Sequence, residues 1–194
     1  MVNMNKLFDW LLIAILCSSC TIEQDLTSYD SISKEEIKIN NKQIAINNNP
    51  NDVIKIFGEN YTHKVKRVKE LFSGELEDSY PLFYYDYDFK GLNINYFSYD
   101  ENGAKYLNYY LITNDKYILS IRNQKIKIGD NISVLETLFP KSFLIMKKQL
   151  NKTKSNVFMH VFIKDYDSYL LLFEIEYSTK KIKSITIQNM DNTD

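Results

Sequence analysis

Asn49-Pro50-Asn51-Asp52-Val53-Ile54-Lys55-Ile56-Phe57-Gly58 and Gly129-Asp130-Asn131-Ile132-Ser133-Val134-Leu135-Glu136-Thr137-Leu138-Phe139-Pro140 carry helix punctuation in a chain otherwise patterned for strands. In the first, Asn49 suits an N-cap, Pro50 the first helical position and Asp52 the positive end of the helix dipole. Val53, Ile54 and Phe57 share one face, and Gly58 can take the left-handed conformation that ends a helix. In the second, Asp130 stands at the cap, Val134, Leu135 and Leu138 form the apolar face, and Pro140 halts the helix. The two align, with Val53-Ile54 and Phe57-Gly58 answering to Val134-Leu135 and Leu138-Phe139.

Outward from these helices the pattern changes to alternation. A short strand precedes each, at residues 43–46 and 125–128. Strands at 82–89, 92–99 and 105–112 follow the first, with Asp100-Glu101-Asn102-Gly103 as a turn. Strands at 157–163, 169–177 and 182–187 follow the second. There Val157, Met159, Val161 and Ile163 share a face, as do Leu171, Phe173, Ile175 and Tyr177, while Glu174 and Glu176 point away. Residues 61–79 interrupt the scheme, and the spacing of Val65, Val68, Leu71 and Phe72 predicts an extra amphipathic helix there. The expected fold is α+β: a tandem repeat of a short helix plus an antiparallel three- to four-stranded meander, with helices packed on one sheet face. It forms a single domain over residues 39–190, made of two related halves, 39–115 and 116–190. Ile126-Lys127-Ile128-Gly129-Asp130 resembles the opening of the repeat in the SmpA/OmlA family of outer-membrane-assembly lipoproteins. As a tandem, the unit is similar to the β-lactamase-inhibitor-protein fold. In the first half, Asn47 and Asn48 stand where that pattern has its Gly step. This resemblance implies a fold and, by analogy only, a protein-binding role.

The N-terminus reads as a leader. Residues 1–6 carry one positive side chain, 7–16 are mostly apolar, and Cys17-Ser18-Ser19-Cys20 is small and polar, which is the plan of a secretory signal peptide. Ten helical residues cover about half of a ~30 Å hydrocarbon core, too little for a comfortable span. The last four residues resemble a bacterial lipobox of the looser Bacteroidetes type, with Cys17 where Leu is usual. The resemblance implies cleavage after residue 19, a diacylglycerol and an N-acyl chain such as palmitate on Cys20, and a membrane anchor in the cell envelope. Thr21, in place of the Asp that favours inner-membrane retention, leans toward the outer membrane. Ordinary secretion without lipidation is the alternative. Residues 20–38 are polar and aperiodic and read as a flexible tether. Once Cys17 is removed, one cysteine is left, so no disulfide and no cysteine-based metal site is expected.

Charge excludes one class of partner. With 24 basic and 25 acidic side chains mixed along the chain, there is no basic stripe for nucleic acid. With 5 glycines in all, phosphate-cradling loops have little material, and no P-loop, Gly-x-Ser-x-Gly elbow or metal-binding His pair is present. No catalytic residue, metal ligand or cofactor is therefore assigned, and the protein is not expected to be an enzyme. His160 falls on the polar parity of its strand and reads as a solvated side chain. Asp86 and Asp88 share one strand face, a pairing that could serve acid/base chemistry or hold calcium, while Asp165 with Asp167 and Asp100-Glu101-Asn102-Gly103 read as turns. Asp86 and Asp88 carry the alternative of an envelope hydrolase, beside the plainer alternative of a purely structural lipoprotein.

Aromatics supply the remaining signal. The chain has 15 tyrosines, crowded into the first-half strands on both faces. A tyrosine presents a large apolar ring and a polar tip at low entropic cost, which suits protein recognition as well as sheet packing. Tyr84, Tyr85, Tyr87, Tyr96, Tyr99 and Tyr109 are the candidate contact residues. The expectation is a lipid-anchored, non-catalytic protein-binding module, acting as an envelope adaptor or as an inhibitor of immunity type. Its partners are the membrane, through Cys20, and a protein.

Overall fold

A computed structural model describes residues 28–69, 81–164 and 169–189. The expected leader and Cys20 lie outside these residues. The strands are β1 (Ser31–Ile32), β2 (Ile37–Ile39), β3 (Lys42–Gln43), β4 (Thr62–Lys69), β5 (Pro81–Asp88) and β6 (Leu92–Ser98). They continue as β7 (Tyr106–Ile112), β8 (Leu119–Ile121), β9 (Gln124–Ile126), β10 (Val157–Ile163), β11 (Tyr169–Glu176) and β12 (Lys181–Asn189). The helices are α1 (Pro50–Phe57), α2 (Ser133–Leu138) and α3 (Pro140–Lys152).

The expected α+β tandem of helix-plus-meander units is overturned by the pairing of these strands. Eight form one mixed sheet in the order β1-β10-β11-β12-β7-β6-β5-β4, and four form a smaller sheet in the order β3-β2-β8-β9. The described chain is mostly β, with only three helices. Two pairings dissolve the halves. β12 lies antiparallel to β7, with Ile185 opposite Ile112 and Ile187 opposite Tyr110. β2 lies antiparallel to β8, so the small sheet draws strands from both halves. The physical cause is backbone satisfaction: a meander standing alone exposes a row of unpaired N–H and C=O groups at each edge, and β7 and β12 cover each other's.

The described part of the segment read as a tether packs on the domain from Tyr29 onward. β1 runs parallel to β10 with Ile32 opposite Ile163, and Ile32 is fully buried. Ile37 and Ile39 are fully buried as well. The start of the helix expected within 61–79 is also corrected, since Thr62–Lys69 is strand β4, antiparallel to β5 with Val65 opposite Tyr85 and Val68 opposite Leu82, while Leu71 and Phe72 lie outside the described residues. A separation of three residues puts Val65 and Val68 on opposite faces of a strand, and Thr-His-Lys-Val-Lys-Arg-Val-Lys pairs as an edge rich in charge. Pro140 ends α2 as expected, yet it also starts α3 at the position where a missing N–H costs nothing. Phe143, Met146 and Leu150 are the buried stripe of α3, which packs on β10.

Around α1 the local readings held, whereas Asp130 caps no helix: the N-cap of α2 is Ile132, and Asp130 Oδ2 accepts from Lys127 N at 2.9 Å. The Asn49 side chain accepts from Asn51 N at 3.1 Å, and Gly58 closes α1 at φ 92°. Gly91 sits at φ 113° in the β5–β6 turn, where an added Cβ would collide with the Asn114 side chain. One continuous core joins the inward residues of the large sheet to the helices and to the buried face of the small sheet, where Ile37, Ile39, Leu119, Ile121 and Ile126 are all fully enclosed. The large sheet therefore has an inner face against this core and an outer face away from it.

Candidate functional site

On β5 the odd positions Phe83, Tyr85 and Tyr87, continued by Phe89 just past its end, face the core, and the even positions face outward. This parity divides the candidate tyrosines. Tyr85, Tyr87 and Tyr96 are buried in the core, so they are corrected from contact residues to packing residues. Tyr99 is 61% exposed, while Tyr84 and Tyr109 are half-buried on the outer side of β5 and β7. The inward tyrosines pack by their rings and tie loops to strands by their hydroxyls. Tyr110 Oη donates to Ala45 O at 2.5 Å, Tyr117 Oη to Phe89 O at 2.6 Å and Tyr169 Oη to Leu107 O at 3.0 Å. Tyr85 Oη donates to Glu101 O. Burial raises the Tyr85, Tyr87, Tyr96 and Tyr110 hydroxyl pKa values, so these groups stay neutral, and the enclosed Tyr96 Oη has no hydrogen-bond partner among the described residues.

The outer face is ordered in rows. Lys66, Tyr84, Phe97 and Tyr106 stand side by side across β4 to β7. Phe97 is buried at the centre of this row, with Tyr99 packed edge-on at 5.6 Å and Tyr106 at 5.3 Å between ring centroids. Tyr99 and Tyr106 meet each other at 6.4 Å, and Tyr106 is 39% exposed. The three rings make an aromatic ridge at the β6–β7 end of the sheet, seated on a turn in which Asp100 Oδ1 accepts from Asn102 N at 3.0 Å. Phe97 and Tyr106 were absent from the sequence-derived site. Their register across the Asp100–Gly103 turn was the available signal.

The acidic pair occupies the next two rows on this face, Asp86 beside Asn95 and Asp88 beside Asn93. Asp86 Oδ1 accepts from Asn95 Nδ2 at 2.8 Å, and Asn95 Oδ1 accepts from Asn108 Nδ2 at 2.9 Å. Asp88 Oδ1 instead accepts from Lys90 N at 2.8 Å in the β5–β6 turn. Both carboxylates share a face as expected, yet each is engaged in a separate local structure. Tyr109 lies near Asp86, and burial, then that carboxylate, push its hydroxyl up.

His160 also departs from expectation. It lies on the outer face, but Tyr29 stacks on it at 6.2 Å and meets Phe162 at 5.6 Å, and burial lowers the His160 pKa. His63 stacks on Tyr87 at 4.7 Å, on β4, six strand spacings from β10. At about 4.8 Å per spacing that is roughly 29 Å, so the two histidines serve no common site.

A second feature lies on the small sheet, away from the tyrosines. A cleft of about 320 Å³ opens there, lined among others by Glu35, Glu36, Lys38, Ser120, Arg122 and Lys125. Two left-handed turns frame it, Asn40-Asn41 at φ 51° and 64°, and Arg122-Asn123 at φ 49° and 66°. Arg122 Nε donates to Glu36 Oε1 at 2.6 Å and its Nη2 to Ser31 O at 3.3 Å. Burial pushes the Glu36 carboxyl up, but Arg122 and the Ser33 N–H outweigh it and hold it below its ordinary value.

Comparison with protein-family models, with curated proteins and with solved structures found no match.

Proposed function

We propose that this chain is a lipoprotein precursor of the bacterial cell envelope, anchored through acylated Cys20 at the outer membrane, whose domain binds another protein without catalysing a reaction. Support for the anchor is the leader pattern of residues 1–20, with its basic start, apolar run and small-residue exit before Cys20. Each buried CH₂ of an acyl chain contributes about 0.8 kcal/mol, so two or more chains suffice to hold a domain at a bilayer. No helix among the described residues is long and apolar enough to cross a membrane.

The observation that carries the binding role is the ridge of Phe97, Tyr99 and Tyr106. Two half-open tyrosines lean on a buried phenylalanine, and Lys66 and Tyr84 continue the row. Rigid aromatic rings around an enclosed centre with a polar rim are the anatomy of an interaction hot spot. The inhibitor version of this role came from the tandem-repeat resemblance and loses that support with the fold. Protein binding as such does not depend on it. Nothing observed favours the hydrolase alternative, because Asp86 and Asp88 are each held by their own neighbours.

Two measurements test the proposal. Metabolic labelling with an alkyne fatty acid is expected to tag the intact protein and not Cys20→Ser. In affinity purification from solubilised envelopes, Tyr99→Ala with Tyr106→Ala is expected to lower recovery of the co-purifying protein by at least about tenfold, the loss of one hot-spot contact. Unlabelled wild-type protein sinks the anchor. Undiminished recovery with the double variant sinks the ridge.

A further inference from the structure

We infer that the polar face of the small sheet is a binding site for a phosphate monoester, held between Lys38 and Lys125 above Ser120. The register builds it. Lys38 stands opposite Ser120 on β8, and Ser120 stands opposite Lys125 on β9, so all three share the face turned away from the buried Ile37, Ile39 and Ile121. At about 4.8 Å per strand spacing, the two lysines start roughly 10 Å apart, with the serine midway beneath them. All three line the same cleft.

Three observations give this row a ligand. First, Lys38 and Lys125 flank Ser120 in direct register, which brings two ammonium groups to one exposed cleft. Neither lysine has an ion-pair partner among the described residues. Second, the Ser120 Oγ is shielded from water and has no hydrogen-bond partner, an arrangement that costs free energy until an acceptor arrives. Third, Glu36 is matched by Arg122 at 2.6 Å, while the exposed Glu35 has only a loose contact with Lys34 at 3.9 Å. The two lysines therefore face an incoming ligand with the rim carboxylate of Glu35 as the one opposing charge in the lining.

Chemistry selects the class. A planar carboxylate is best read by a free guanidinium fork, and the Arg122 fork is occupied by Glu36 and Ser31 O. What remains is two mobile ammonium groups and one hydroxyl approaching from different directions, which suits a tetrahedral dianion. The cleft volume of about 320 Å³ leaves room for a small organic group on the ester oxygen.

Titration calorimetry at low ionic strength with inorganic phosphate, glycerol phosphate and acetate tests this. Saturable binding of both phosphates is expected, weakened about tenfold or more by Lys38→Gln with Lys125→Gln. Both side chains lie on the exposed face, so an unchanged unfolding midpoint is expected to accompany the loss. Glu35→Gln removes a negative charge from the rim and is expected to tighten binding two- to threefold, an effect that simple damage does not produce. Vesicles containing phosphatidic acid form a separate arm: binding to them alone assigns the phosphate to a lipid headgroup, and binding to glycerol phosphate alone assigns it to a soluble ester. Absence of saturation in every phosphate arm, acetate bound as tightly as phosphate, or affinity untouched by the double lysine substitution each overturns the inference.

Discussion

Glu174 shows how an outward-facing acid can matter to stability. Its carboxylate accepts from Lys183 Nζ at 2.8 Å, Ser184 Oγ at 2.8 Å and Asn156 Nδ2 at 2.9 Å, and its side chain is 16% exposed. Burial pushes its pKa up, but these donors outweigh it and hold it below the ordinary 4.5. A depressed folded-state pKa means the stabilisation is complete above 4.5 and is lost as pH falls through the lower folded value. Glu174→Gln is therefore expected to lose about 1–2 kcal/mol in urea unfolding at neutral pH, with the gap to wild type closing in acid. A gap independent of pH would contradict the assignment. Strand parity made this outward position legible from alternation alone. The same parity placed some tyrosines on each face but could not say which face met the core, and so Tyr85, Tyr87 and Tyr96 were read as surface.

Helix α3 depends on a cap from outside its own sequence. Phe139, the residue before Pro140, offers no side-chain cap, and Asp30 takes its place: Ser142 N donates to Asp30 Oδ2 at 2.9 Å, and Asp30 N donates to Ser142 Oγ at 3.0 Å. Asp30→Ala is expected to cost about 1 kcal/mol, the usual value of an N-cap, and to raise amide exchange in the first turn of α3. Unchanged exchange there would show that the reciprocal pair holds nothing. A cap drawn from 112 positions away has no local signature, which is why Pro140 read only as a stop. β4 was missed for the converse reason. Its three-residue valine spacing imitates a helix, and only pairing with β5 turns the Lys- and Arg-rich stretch into an edge strand.

Assembly of the molecule runs through β1 as much as through the longer strands. Ile32 is fully buried beside β10, with Lys164 N donating to Ile32 O at 2.9 Å. Ile32→Ala is expected to cost about 2–5 kcal/mol, the range for truncating an enclosed aliphatic side chain, and to lower the unfolding midpoint of the whole domain in one transition. Loss confined to local fraying near residue 30 would mean that β1 is an appendage. Alternation, turn residues and helix caps determined, from the sequence by itself, where α1, the β5–β6–β7 strands and the β10–β11–β12 strands lie, because each depends on neighbours a few residues apart. Which strands lie beside one another, which sheet face is enclosed and which tyrosines emerge as the ridge were decided only in the tertiary structure. Those outcomes follow from edge-to-edge hydrogen bonds such as β12 to β7 and β2 to β8, formed between backbones whose positions along the chain carry no mark of each other.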